Sequence, residues 1–174
     1  MLLILSGLPG TGKITIAREL GSRVHAVHVR IDSIEQAIRN SGIVRSSIDD
    51  AGYRAGYAVA EDNLRLGLIV IADSVNPLHL TRAAWRAAAS RAAKPSIDVE
   101  IVCSDLAEHR RRIEARTPDL PGHALPTWAE VVGRAYQAWD REPIRIDTAT
   151  IGVEQAVAIL SSQLERTPAT PDPS

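Results

Sequence analysis

Aromatic residues are scarce in this sequence, which has no phenylalanine, three tryptophans and three tyrosines. Its core must therefore be aliphatic, built from leucine, isoleucine, valine and alanine. Cysteine is almost absent as well, since Cys103 is the only one. A single cysteine excludes an intramolecular disulfide and a multi-cysteine metal site. We expect Cys103 to be a core residue, and a reducing cytoplasm is the simplest compartment for such a chain.

Long apolar runs are also missing, because no stretch of the 174 residues approaches the length of a membrane-spanning helix. The apolar start, MLLILSG, lacks the basic region and cleavage site of a signal peptide. The net charge is −1, which disfavours a broadly basic nucleic-acid surface. The five histidines are dispersed without metal-ligand spacing, which disfavours a zinc site. We expect no membrane partner, and the sequence does not predict an oligomeric state.

Short aliphatic runs alternate with helical patterns along the chain. The predicted strands lie near residues 2–6, 26–31, 68–73, 97–103 and 144–147. The predicted helices lie near residues 13–20, 33–39, 46–66, 81–93, 105–116, 127–139 and 153–164. This alternation predicts an α/β fold with a five-stranded, mainly parallel sheet and helices on both faces. We expect one domain over residues 1–166 and a proline-containing disordered tail over 167–174.

A glycine-rich loop follows the first predicted strand. Its sequence, GLPGTGK over residues 7–13, matches the first seven positions of the phosphate-binding pattern G-x-x-x-x-G-K-[ST]. Glycines let the backbone curl so that its N–H groups point at a phosphate, and the following helix start adds a positive dipole end. Lys13 supplies a point charge for the β- and γ-phosphates. The alternative is a plain strand-to-helix turn. The expected nucleotide contacts are Gly7, Leu8, Pro9, Gly10, Thr11, Gly12, Lys13, Ile14 and Thr15.

The eighth position of the pattern departs from it. Ile14 stands where a serine or threonine hydroxyl normally ligates Mg²⁺. Thr15 is next, but one residue rotates about 100° around a helix, so its side chain should point elsewhere. Two interpretations compete. Either Mg²⁺ binds more weakly, through phosphates, water and acidic residues, or the chain binds nucleotide with little or no catalysis.

Five segments carry a family resemblance: SGLPGTGK at 6–13, VRIDSIEQAIR at 29–39, GLIVIADSVNP at 67–77, VCSDLAEHRRRIEAR at 102–116 and IRIDT at 144–148. Together they resemble the P-loop kinases of small molecules and polynucleotide ends. The nearest group is the AAA_33, zeta-toxin-like and chloramphenicol-phosphotransferase-like kinases. The resemblance implies a three-layer P-loop NTPase fold, an arginine-rich lid near residues 105–126, and the use of ATP and Mg²⁺.

The resemblance also assigns roles to two carboxylates. Asp32, at the end of the second predicted strand, is implied to be the general base for an acceptor hydroxyl. Asp-Ser before a helical run is also a common helix start, so the alternative or additional role of Asp32 is an N-cap for the helix at 33–39. Asp73 resembles the acid that ends a Walker B strand and holds Mg²⁺ through water. Its alternative role is a strand-end cap. Because Ile14 offers no oxygen, Asp32 and Asp73 are the expected metal residues.

The predicted helix at 105–116 and the proline-rich loop after it resemble the lid of nucleoside-monophosphate and related kinases. Arg112 and Arg116 are four residues apart and therefore share a helix face. By the resemblance, one stacks on adenine and the other reaches the transferring phosphate. Arginine suits both tasks because its guanidinium is planar and bidentate. The alternative is a solvent-facing charged helix, in which acidic neighbours such as Glu108 offset the arginines.

Three other polar residues are candidate substrate contacts. Arg39 lies two turns beyond Asp32 on the same predicted helix face, where a solvated arginine is the alternative. Asn76 and Arg82 follow Asp73 on the rim where the strands end. Open α/β sheets bind ligands at that rim.

These residues predict a single-domain, ATP-dependent phosphotransferase that acts on a hydroxyl of a small molecule. Lys13, Asp32, Arg112 and Arg116 are the expected catalytic residues. One alternative, motivated by Ile14, is a nucleotide-binding pseudokinase or regulatory module with weakened Mg²⁺ binding. Another is a toxin-type or polynucleotide kinase, which would share the same site and which the net charge disfavours.

Overall fold

A computed structural model describes residues 1–43, 47–122 and 124–167. Its strands are β1 (Leu2–Ser6), β2 (Val27–Arg30), β3 (Val70–Asp73), β4 (Ser96–Val102) and β5 (Ile144–Asp147). Its helices are α1 (Lys13–Val24), α2 (Ile31–Asn40), α3 (Ala51–Arg65), α4 (His79–Arg91), α5 (Leu106–Glu114), α6 (Trp128–Val132) and α7 (Val153–Arg166). Within the described residues, none of these helices is long and apolar enough to cross a membrane.

The five strands form one sheet in the order β2-β3-β1-β4-β5, and every pairing is parallel. The central strand β1 is buried at all five residues, as its continuous aliphatic sequence LLIL predicts. The chain first moves outward from β1 to β2, and later crosses from β3 over β1 to β4. The strand order therefore reverses beside β1, and ligands bind at the carboxyl ends of the strands at such a reversal.

Alternate residues of β1 supply two separate cores. Leu3 and Leu5 pack in a cluster with α1 and α7, which includes Leu20 and Leu160. Leu2 and Ile4 face the opposite cluster, which is formed with α3 and α4 and includes the fully buried Trp85. Apart from Trp85, the buried side chains of both cores are aliphatic. The predicted three-layer α/β architecture is confirmed.

One predicted helix is largely wrong. The helix expected over 127–139 is confined to α6, and residues 133–142, called here the anchor segment, form no helix. The buried guanidinium of Arg82 explains the difference. It donates to the carbonyl oxygens of Gln137 (2.7 Å) and Ala138 (3.0 Å). Its Cζ also lies 4.2 Å from the ring centroid of Trp139. The N–H of Gln137 donates to the carbonyl oxygen of Pro77 at 2.8 Å, whereas in a helix it would donate to residue 133.

Other element boundaries shift by a few residues. The helix predicted to begin near residue 46 begins at Ala51, and residues 44–46 lie outside the described part of the chain. The helix predicted over 105–116 ends at Glu114, so Arg116 lies beyond it. Of the predicted disordered tail, only Thr167 is among the described residues, and α7 extends to Arg166.

Candidate active site

The phosphate loop, residues 7–12, joins β1 to α1 at the centre of the sheet. Gly12 precedes α1 with φ 94°, a left-handed conformation that glycine adopts without strain, and no side chain caps the helix start. A Cβ atom at Gly7, where φ is 144°, would collide with the carbonyl oxygen of Ile101. The first N–H groups of α1 are therefore left without a side-chain acceptor, which is the arrangement that binds an anion.

Lys13 begins α1 and is 7% exposed. Its Nζ donates to the carbonyl oxygen of Leu8 at 3.2 Å. Burial lowers the pKa of the Lys13 ammonium, and the charges of Asp73 and Asp32 only partly offset this effect. A buried ammonium whose pKa is lowered lacks full compensation by negative charge. The polyphosphate of a nucleotide would supply that charge.

The two predicted carboxylates lie on the same rim. Asp73 ends β3, is 3% exposed, and accepts from Nε2 of His28 at 3.2 Å. Asp32 lies in the first turn of α2, and its side chain is 39% exposed. The predicted N-cap role of Asp32 is wrong, because α2 begins at Ile31, its N-cap is Arg30, and no side chain caps it. With no capping bond to make, the Asp32 carboxylate lines the cleft.

The predicted arginines both line the cleft but do not share a helix. Arg112 is fixed in α5: its Nε donates to Glu108 at 2.8 Å, and its Nη1 donates to Oγ1 of Thr148 at 2.8 Å. Hydrogen bonds from Arg111 and Arg112 lower the pKa of Glu108 to about 2. The side chain of Arg116 makes no hydrogen bond or ion pair with any described residue, although its backbone N–H donates to Ile113 at 3.3 Å. Its charge contributes to lowering the pKa of Lys13. One arginine is thus held in place, and the other is available to a ligand.

The cleft over the phosphate loop has a volume of about 840 Å³. Of the predicted site residues, Pro9, Gly10, Gly12, Lys13, Ile14, Thr15, Asp32, Asp73, Arg112 and Arg116 line it. The other three, Gly7, Leu8 and Thr11, do not line the cleft. Thr11 is buried, with its Oγ1 donating to the Leu8 carbonyl at 2.9 Å. Because a cleft of this size holds a small-molecule ligand, phosphate-binding and acceptor groups can face one another across it.

A smaller cavity of about 260 Å³ adjoins the start of α1. Thr15 lies at the junction, since it lines both this cavity and the main cleft. Arg112 and Thr148 also line the smaller cavity, together with residues 151–153 at the start of α7. Ile14 lines only the main cleft.

Asn76 and Arg82, predicted as substrate contacts, have structural roles instead. Both are fully buried. The amide of Asn76 donates to Ser6 at 3.0 Å and accepts from the indole N–H of Trp85 at 3.1 Å. Arg82 holds the anchor segment, as described above. Arg39 lines the cleft, is half exposed, and pairs with Glu35 at 3.3 Å.

Two positioning residues were missed by the sequence analysis. Thr148 follows β5, and its Oγ1 donates to the carbonyl oxygen of Thr11 at 2.9 Å. Its place at a strand end on the ligand-binding rim was the available signal. His109 of α5 donates from Nε2 to the carbonyl oxygen of Pro9 at 2.7 Å. No local pattern distinguishes His109, because its partner lies 100 residues away in the chain.

The parallel sheet, the glycine loop and the cleft above it define a P-loop kinase-like α/β protein. A family model described as an AAA domain (AAA_33) matches residues 2–134, and the chain belongs to this family. No match was found among curated proteins.

Solved structures share the fold. The APS kinase CysC of Mycobacterium tuberculosis, in complex with AMPPNP and APS, is 18% identical, with a TM-score of 0.72 over 94% of this chain and 96% of that one. Kti12 of Chaetomium thermophilum, in complex with ADP-AlF3, is 21% identical, with a TM-score of 0.67 over 93% and 98%. A gluconokinase from Sinorhizobium meliloti is 15% identical, with a TM-score of 0.61 over 94% of each chain. At these identities the likeness concerns the fold.

Proposed function

We propose that this chain is an ATP-dependent phosphotransferase that moves the γ-phosphoryl group of ATP to a hydroxyl of a small molecule. One observation carries the proposal. The buried, undercompensated ammonium of Lys13 and the uncapped start of α1 open into the same cleft as the carboxylates of Asp32 and Asp73. Cationic groups and N–H donors thus meet potential general-base and metal-binding groups within one ligand-sized space. Catalysis of phosphoryl transfer rests on such positioning and electrostatics.

At the phosphate end, the loop N–H groups and Lys13 hold the β- and γ-phosphates. The side chain of Arg116 lines the cleft without a partner among the described residues and can neutralise the transferring group. The nucleobase would occupy the smaller cavity, where Arg112 forms one wall. The hydrogen bonds of Arg112 to Thr148 and Glu108 fix its guanidinium plane for stacking.

At the acceptor end, Asp32 is the proposed general base. It accepts the proton of the acceptor hydroxyl as the oxygen attacks the γ-phosphorus, and ADP leaves. Its side chain is 39% exposed and ends in the cleft, so an acceptor can reach it. Glu35 and Gln36 of α2 and residues 124–126 line the same space and would surround the acceptor.

The donor set fits Mg²⁺ only together with a nucleotide. No cluster of three or more metal-ligating side chains exists among the described residues. Mg²⁺, however, is usually held by one or two carboxylates, substrate phosphates and water. Asp73 and Asp32 can supply the carboxylates, whereas Ile14 cannot supply the hydroxyl. Bound Mg²⁺ would neutralise the developing charge on the β- and γ-phosphate oxygens.

A second function, a nucleotide-binding module without turnover, is favoured by Ile14 alone. Isoleucine removes one oxygen ligand from the metal and leaves the contacts of the phosphate loop intact. Such a module would bind ATP with little dependence on Mg²⁺ and form no ADP.

Two measurements test the proposal. A thermal melt with ATP, with and without Mg²⁺, should show stabilisation of about 2.7 kcal/mol at a ligand concentration 100 times Kd. ADP release should then be followed with a panel of sugars, sugar acids, amino alcohols, nucleosides and a 5′-hydroxyl oligonucleotide. We expect ADP to form at a rate that depends on one class of small hydroxyl compound.

The outcomes separate the candidate functions. Stabilisation without ADP formation across the panel would support the binding module. Preferential phosphorylation of the oligonucleotide would support a polynucleotide kinase. Neither heat nor stabilisation on addition of ATP or GTP would contradict nucleotide binding altogether.

A further inference from the structure

The lid loop, described at residues 115–122 and 124–126, contains one carboxylate that reaches across the molecule. Asp119 accepts from both terminal nitrogens of Arg30, Nη1 to Oδ2 at 2.7 Å and Nη2 to Oδ1 at 3.0 Å. It also accepts from Nη2 of Arg18 at 2.9 Å. A further contact holds the same loop: the amide of Asn40 donates to the carbonyl oxygen of Pro121 at 3.3 Å. These contacts fasten the lid loop to α1, α2 and the edge strand β2.

The two arginines that hold Asp119 are not equivalent. The Arg30 side chain is 5% exposed and its Nε has no acceptor among the described residues, so its charge depends on what its terminal nitrogens meet. The Arg18 side chain is 59% exposed and is solvated without Asp119. A bidentate pair with a buried guanidinium is strong and directional, whereas an exposed pair contributes little.

Arg30 also faces the proposed base. Its Nη2 lies 3.7 Å from Oδ2 of Asp32, which is within ion-pair range and beyond hydrogen-bonding distance. The buried cation thus lies between two carboxylates, and it forms hydrogen bonds with Asp119 but not with Asp32. If Asp119 left, the remaining carboxylate within ion-pair range of Arg30 on the cleft side would be Asp32. A closer pair would engage the oxygen that the proposed reaction needs.

We propose that Asp119 is a positioning residue that keeps Arg30 from pairing with Asp32. The base is then available only when the lid loop is seated, meaning that Asp119 is bound to Arg30. The inference rests on the proposed function. In the seated state the acceptor O–H bond breaks, its proton moves to Asp32, the new O–P bond forms, and the bond from phosphorus to ADP breaks. In the unseated state Arg30 occupies Asp32, and ATP is protected from attack while the cleft is open to water.

The charge state of Asp119 suits this role. Hydrogen bonds from Arg30, and less from Arg18, hold the pKa of the Asp119 carboxyl well below its usual range. The carboxylate is therefore ionised at neutral pH, and the position of the lid loop rather than a proton decides whether Arg30 is paired.

The central test compares Asp119→Asn with the double variant Arg30→Met/Asp119→Asn. Removing the charge of Asp119 frees Arg30 to pair with Asp32, so we expect kcat for ADP formation to fall about tenfold while KM for ATP stays within about twofold. In the double variant the interfering cation is gone, so most of the lost kcat should return. A purely structural role for Asp119 predicts no recovery, because the double variant removes still more contacts.

Arg18→Ala is the matched control. It removes the exposed partner of Asp119 and leaves the bidentate pair with Arg30, so kcat should stay near the wild-type value. Hydrogen–deuterium exchange over residues 115–122 measures the seating directly, in protein without nucleotide. We expect faster exchange in Asp119→Asn and nearly unchanged exchange in Arg18→Ala.

Three results would overturn the proposal. One is a double variant no faster than Asp119→Asn, and another is equal loss of kcat in Asp119→Asn and Arg18→Ala. Both leave the phosphotransferase itself intact. The third is absence of turnover in the wild-type protein, which contradicts the proposed function and this inference together and is recognised before any variant is made.

Discussion

The two walls of the cleft are held by different kinds of contact. The phosphate loop is fixed by hydrogen bonds to its backbone carbonyls, from His109 to Pro9 and from Thr148 to Thr11. The opposite wall, formed by the lid loop, is fixed by ion pairs of Asp119 with Arg30 and Arg18. Salt screens the exposed pair of Arg18 with Asp119 most and the buried pair with Arg30 less.

The difference teaches how rigidity is distributed across this site. A loop that must present N–H groups to phosphate needs one geometry at all times, and short hydrogen bonds to its carbonyl oxygens supply it. A wall that must admit an acceptor and then enclose it needs a contact that can break. The predictions below disturb each wall in turn, beginning with the largest effect.

Replacing Lys13 by methionine removes the charge of the phosphate wall, the side of the cleft formed by the phosphate loop, and keeps a side chain of similar length. We expect ATP affinity to fall on the order of 100-fold or more, since one preorganised charged donor is lost. The nucleotide-free protein should become more stable by about 1 kcal/mol, because a buried cation without full compensation is removed. Calorimetric titration with ATP and denaturant unfolding measure the two effects.

Lys94→Met is the matched control, since Lys94 is the other lysine of the chain and does not line the cleft. The pH dependence supplies a further check. Burial lowers the Lys13 pKa, so the unfolded chain holds more protons at this site just below pH 10.5. The wild-type free energy of unfolding should therefore rise, relative to Lys13→Met, as the pH increases through that window. An unchanged ATP affinity in Lys13→Met would contradict the assigned role.

Replacing Arg82 by methionine disturbs the anchor segment, which adds to the cleft lining beyond the lid loop. Its guanidinium is fully buried and holds the anchor segment, which carries Arg134 of the cleft. Methionine fills a similar volume but leaves the carbonyl oxygens of Asn76, Gln137 and Ala138 without their donor. We expect a loss of about 2–3 kcal/mol in the free energy of unfolding, measured with denaturant.

Arg91→Met on the same helix is the control for Arg82→Met. Its side chain is 54% exposed and pairs with Glu61 on the surface, so we expect a change below about 1 kcal/mol. Equal losses in the two variants would show that the anchor segment does not depend on the buried guanidinium.

The sheet and the phosphate loop could be predicted because each depends on a pattern of a few consecutive residues. Buried parallel strands are aliphatic runs such as Leu2–Leu5, whichever side chains surround them. The glycine loop is a local pattern whose chemistry follows from spacing. The family resemblance indicated Asp32 and Asp73, and their positions agree with the rule that parallel strands present their carboxyl ends at one rim.

The opposite wall was harder to predict because its contacts join distant parts of the chain. Arg30 and Asp119 are 89 residues apart, and neither neighbourhood has a pattern that indicates the other. The anchor segment misled the analysis for a related reason. Tyr136 and Trp139 fit a helical apolar face, yet both rings lie against Arg82. A buried guanidinium that needs acceptors outweighed the local helix preference.

The smallest expected effect concerns the one position where the phosphate wall departs from its pattern. Ile14→Ser adds the hydroxyl that a P-loop normally offers to Mg²⁺. In the wild type, Mg²⁺ should improve ATP affinity only modestly, because the carboxylates must act without that oxygen. In Ile14→Ser we expect Mg²⁺ to improve ATP affinity by about a further tenfold, equivalent to about 1.4 kcal/mol. Titration of each protein with ATP, with and without Mg²⁺, measures the difference.

Ile14→Ala, which removes the same bulk without adding oxygen, should show no such gain. A gain shared by Ile14→Ala would mean that the isoleucine weakens Mg²⁺ binding by its size. The missing hydroxyl would then not be the reason for the weak dependence on Mg²⁺.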